Sequence, residues 1–130
     1  MPKFSERSRR ILRTCDPRLQ VLFERIVITF DCTVVSGHRN LEEQNSLFHR
    51  GLSKLKWPHS KHNRDPSLAV DIYPYPIDWQ DRDRFHYFAG FVMSMAEVQD
   101  YDLRWGGDWN KDWQVRDNVF DDLGHFELIG

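Results

Sequence analysis

One carboxylate in an apolar run constrains this chain more than any other feature. In Leu68-Ala69-Val70-Asp71-Ile72-Tyr73 the β-branched and aromatic residues predict a strand that Pro74 and Pro76 end. An unpartnered carboxylate in such a strand is costly to bury. Strand alternation puts Ala69, Asp71 and Tyr73 on one face and Leu68, Val70 and Ile72 on the other, so Asp71 needs its partner on the less apolar side. A surface salt bridge would meet that need. A metal ion would meet it too, because His59 and His62 stand in the loop before this strand and His125 opens the last predicted one, in Asp122-Leu123-Gly124-His125-Phe126-Glu127. Two imidazoles and a carboxylate suit zinc, and three protein ligands leave the fourth position to water, as in catalytic rather than structural sites. Spacing alone does not choose between these readings, since a chain with 6 histidines offers such sets by chance.

The remaining elements follow from caps and periodicity. Asp16-Pro17 reads as an N-cap and N1 pair, after which Leu19, Leu22, Phe23, Ile26 and Val27 recur at helical spacing as far as Phe30. Thr33–Ser36 is a short β-branched strand broken by Gly37, and Asn40 with Glu43 is a capping-box signature for a helix ending near Gly51. Asp78 is placed to cap a long helix that buries Phe85, Phe88, Val92 and Met95 and ends near Asp100. Leu103–Trp105 and His125–Leu128 are the last short strands. The class is α+β, a small antiparallel sheet packed with helices, with residues 1–130 as a single domain.

Composition removes several functions. The 130 residues include 9 Phe, 5 Trp and 4 Tyr, with 40% hydrophobic residues, enough to fold without disulfide staples. Cys15 and Cys32 match no disulfide or metal framework and read as buried thiols. A formal charge of −2 gives no support for nucleic-acid binding, and a metal-dependent nuclease would need a basic groove that this balance does not advertise. Nothing reads as a membrane span or a secretory signal, and Arg7, Arg9, Arg10 and Arg13 read as the solvated face of a short helix.

Three fragments, in order, resemble the zinc D-Ala-D-Ala carboxypeptidase and L-alanyl-D-glutamate peptidase family, which has a hedgehog-like fold and includes phage endolysins. Ser36-Gly37-His38-Arg39 followed by Gln44 is similar to its S-G-[YFH]-R…Q. Ser60-Lys61-His62 leading to Ala69-Val70-Asp71 resembles S-x-H…A-x-D, and Asp122 with His125 resembles the [ED]-x-x-H ending. The interval from His62 to Asp71 is longer than is common in the family, an insertion that a loop absorbs cheaply, and Asp122 stands where many members carry Glu.

The resemblance implies zinc held by His62, Asp71 and His125, and Asp122 as the general base. It implies Arg39 as a group for a peptide carboxylate or the oxyanion, and Ser60 and Gln44 as substrate contacts. His59 is then a rival ligand that the family pattern passes over, His38 a packing or wall residue, and Trp109 a possible cleft wall. The implied function is cleavage of the peptidoglycan stem peptide, at the L-Ala–D-Glu bond, by a monomeric phage endolysin. Such an enzyme is made in the host cytoplasm without a signal peptide and reaches the cell wall after release, binding neither nucleic acid nor membrane. The alternatives are a D-Ala-D-Ala carboxypeptidase of the same fold and a non-catalytic, zinc-stabilised wall-binding module.

Overall fold

The computed structural model describes residues 1–116 and 120–130. Its elements are α1 (Glu6–Leu12), α2 (Pro17–Thr29), β1 (Cys32–Ser36), α3 (Leu41–His49), β2 (Ala69–Pro74), α4 (Arg82–Val98), β3 (Leu103–Gly106) and β4 (Asp122–Leu128), with a 3-10 turn at Lys61–Asn63. The strands form one antiparallel sheet in the order β1-β2-β4-β3.

Local chemistry sets most boundaries. The Asp16 side chain accepts from the Arg18 amide and Pro17 opens α2; Asn40 and Glu43 cap α3 reciprocally. The long helix starts later than expected. Asp78 closes a turn onto the Gln80 amide, while Asp81 accepts from Arg84 N and is the cap of α4. Strand β4 begins earlier, at Asp122, because Gly106 pairs with that residue across an irregularity in the β3–β4 ladder. A Cβ at Gly106 would lie 2.0 Å from the Asp122 carbonyl oxygen, so only glycine allows this approach.

The apolar row of β2, Val70 and Ile72, faces the helices together with Phe126 of β4, all fully buried. Phe126 meets Phe23 of α2 edge-on at 5.6 Å and Phe88 of α4 at 6.1 Å, so one ring joins both long helices to the sheet. Cys15 and Cys32 are free and buried, as expected. The edge of β1 is covered by α1, whose Ser8 hydroxyl accepts from Val34 N at 3.1 Å. The other face of the sheet carries Asp71, directly opposite His125, and Glu127, opposite Ala69.

Replacing Phe126 by Ala removes the ring shared by both helices. It is expected to cost about 3–5 kcal/mol of stability, read as a lowered urea midpoint.

Candidate metal centre

The face opposite the helices gathers polar groups from four segments. Asp71 is 6% exposed. Its Oδ2 accepts from Arg39 Nη2 at 2.8 Å, and its Oδ1 lies 3.1 Å from His125 Nδ1 and 3.4 Å from His62 Nε2. One atom from each of His62, Asp71 and His125 lies within 4.8 Å of the others, the separation of ligands around a single small ion.

His62 provides the test of fit. Its Nδ1 lies 2.7 Å from the Gly37 carbonyl oxygen and donates to it, so Nε2 is the ring nitrogen that faces Asp71 Oδ1. That nitrogen is buried and has no hydrogen-bond partner. Two acceptors facing each other in a dry site repel unless a proton or a cation lies between them. Nitrogen and carboxylate donors converging in this way suit zinc and related divalent ions.

The sequence positions His62 by short-range capping. Ser60 Oγ accepts from His62 N, Asn63 Oδ1 accepts from Ser60 N, and Arg39 N donates to His62 O at 2.8 Å. The longer interval before Asp71 closes as a loop, with Leu68 N donating to Lys61 O, so Asp65 and Pro66 lie outside the cluster.

Burial alone would raise the Asp71 carboxyl, but the two imidazoles beside it overcome that and hold it far below the usual carboxylate range. Burial lowers His125, yet hydrogen bonds to Asp71 and Glu127 win and push it up to about 9. Asp122 is displaced upward, first by burial and then by the charge of Asp71. It lines a cleft of about 330 Å³ that also includes Arg39, Ser60, His62 and His125. Alternation along an unbroken β4 would turn Asp122 away from His125; the irregular pairing at Gly106 brings it to the same side.

Gln44 requires a correction. It is fully buried, its Nε2 donates to Ser53 Oγ and Leu55 O, and its Oε1 accepts from Asn63 Nδ2. With its amide spent inside the protein, Gln44 supports the 3-10 turn beneath His62 and does not reach substrate. His59 lines the cleft but is not among the converging ligand atoms. Trp109 does wall the cleft, tilted against His125 at 5.4 Å, whereas Trp105 is buried in the core.

Sequence reasoning assigned no role to Glu127. Its Oε1 lies 2.8 Å from His125 Nε2, and its Oε2 accepts from Arg104 Nη2 at 2.7 Å. Burial opposes its charge, but His125 and Arg104 bring its carboxyl down to about 2. A carboxylate on one imidazole nitrogen fixes the ring and leaves the other nitrogen for a metal. The available signal was its position two residues after His125, on the same strand face.

A model of the family described as phage L-alanyl-D-glutamate peptidase matches residues 1–129. No curated protein sequence matches the chain. Among solved structures, the Serratia marcescens L-Ala D-Glu endopeptidase ChiX is similar with a TM-score of 0.77 at 24% identity, over 98% of this chain and 90% of that one. The vancomycin-resistance D,D-pentapeptidase VanY, solved with Zn(II), reaches 0.52 at 19% identity over 88% of this chain and 70% of its own. The D,D-dipeptidase VanXYg, bound to a D-Ala-D-Ala phosphinate analogue, reaches 0.51 at 23% identity over 88% and 48%. These likenesses establish the fold.

With His125 raised to about 9 by its two carboxylates, metal uptake at pH 7 has to displace its Nδ1 proton. Calorimetry in buffers of different ionisation enthalpy should register release of about one proton, with affinity climbing as pH rises toward 9. Glu127→Gln should weaken divalent-ion binding by about 10–100-fold, measured against a competing chelator.

Proposed function

The chain belongs to the phage L-alanyl-D-glutamate peptidase family, and from that membership we propose that it is a zinc peptidase that cuts the peptidoglycan stem peptide between L-Ala and D-Glu during phage lysis of the host. The observation that carries this reading is the partnerless Nε2 of His62, buried and aimed at Asp71 beside His125. In this reading His62, Asp71 and His125 hold the ion. When bound, zinc polarises the scissile carbonyl and lowers the pKa of a water toward about 7.

Asp122 is the proton carrier. Its carboxylate takes a proton from the attacking water as the new C–O bond forms and returns it to the D-Glu nitrogen as the C–N bond breaks. The products are an L-Ala carboxylate and a D-Glu amine. A carboxyl displaced upward by burial and by Asp71 is better matched to both steps near neutral pH than an ordinary one. Arg39 has two tasks: Nη2 fixes Asp71 Oδ2 and so turns Oδ1 toward the imidazoles, and its charge at the cleft wall favours negative charge developing on the carbonyl oxygen. Ser60 holds His62 in place through its amide and offers a hydroxyl to the peptide. Among the described residues no helix is long and apolar enough to cross a membrane.

Digestion of purified Gram-negative sacculi, with chelator and zinc add-back, should expose new amino groups on D-Glu in mass spectra, and only when metal is present. Release of D-Ala alone would move the assignment to a carboxypeptidase; metal binding without any release would leave a wall-binding module. Asp122→Asn is expected to keep its metal and lose turnover by about 10²-fold or more. Full activity in that variant would remove Asp122 from the mechanism.

A further inference from the structure

Cleavage between L-Ala and D-Glu makes different demands on the two sides of the cleft. Only one residue precedes the cut, because the L-Ala nitrogen is acylated by the lactyl ether of a muramyl sugar. Two chain units separate the scissile carbonyl from that sugar, so a pyranose ring has to sit within about 7–10 Å of the reacting carbon. The far side of the bond is anionic, with the α-carboxylate of D-Glu followed by further carboxylates.

The walls of the cleft differ in the same sense. The cleft walls carry Lys54, and beside Glu127 two positions past His125 they carry Lys61 and Arg104, both paired with that carboxylate. Past Asp122, the shallow depression shared by Asp122 and Gly124 is bounded by Trp79. Tyr73 lies on the Asp71 face of β2, two positions along, about 6.5 Å away, and Trp79 packs against Tyr73 with ring centroids 4.5 Å apart at 67°. Phe85, itself buried, stacks on Trp79 at 5.9 Å and 18°. The indole is therefore held by two rings yet 65% exposed, and it lines the same depression as Asp122. Trp109, which also lines the cleft, is covered by Phe120 on one side and His125 on another.

We propose that Trp79 is a carbohydrate platform: its open indole surface stacks against the muramyl pyranose, whose axial C–H groups meet the electron-rich ring. The L-Ala side of the substrate then crosses Asp122 and Tyr73, and the carboxylate-bearing side runs along Lys54, Lys61 and Arg104. This assignment rests on the L-Ala–D-Glu reading of the reaction.

The test compares two substrates of identical amino-acid sequence, one carrying N-acetylmuramic acid on L-Ala and one carrying a simple acetyl group. Wild type should prefer the muramyl peptide in kcat/KM. Trp79→Ala should reduce that preference by about tenfold, the size of one good aromatic contact, with the change in KM, and Trp79→Tyr should restore most of it. An unchanged preference in Trp79→Ala, with wild type cutting at L-Ala–D-Glu, overturns the platform and leaves the reaction intact. Wild type that cuts neither substrate at this bond overturns the reading of the reaction and the platform with it.

Discussion

The structure depends on the neutralisation of Asp71. Its carboxylate lies between β2 and β4 with almost no exposure, and its neighbours come from three separate segments: Arg39 from the turn after β1, His62 from the 3-10 turn, and His125 from β4. Taking a charge out of water costs several kcal/mol, and removing one partner of a buried pair costs about 3–5. Each segment is therefore held where Asp71 needs it. The same requirement makes the site, because the groups that compensate the charge also bring two imidazole nitrogens to one carboxylate oxygen.

Much of this was legible because it is local or rests on a forbidden burial. The Asp16-Pro17 and Asn40/Glu43 caps involve residues within three positions of each other, so the chain needs no tertiary information to form them. The carboxylate in an apolar strand announces a partner for the reason just given. What was not legible depends on contacts between distant segments. Asp122 was named through the family resemblance, but its place in β4, beyond the strand expected from His125, follows from the slip of the ladder at Gly106. Gln44 looks like a polar group on a helix near the site, and only the return of Ser53, Leu55 and Asn63 over it shows that its amide is spent. Asp78 and Asp81 are both good caps by type. Asp78 lost because its side chain closes the preceding turn.

Local charge matters more here than the formal total of −2. Asp71, Asp122 and Glu127 are matched by Arg39, Lys61 and Arg104 around one cleft. A divalent cation added to that matched set would make the cleft positive and cancel the formal charge of −2 on the whole chain. Under the proposed reading, an anionic peptide would be drawn toward that cleft. Glu127 limits this effect: by holding His125, Arg104 and Lys61 together it keeps their positive charge in place and spends part of it.

Two neighbouring sets of buried polar atoms are finished differently, and the contrast bears on stability. Around Gln44 and Asn63 every amide found a partner inside the protein, and this network fixes the turn that carries His62. At His62 itself Nδ1 is satisfied and Nε2 is not. Beneath this turn the buried amides are paired, and the nitrogen without a hydrogen-bond partner is the one that faces Asp71 beside His125. A divalent ion held by His62, Asp71 and His125 would stabilise the native state alone, since the unfolded chain does not bring the three together.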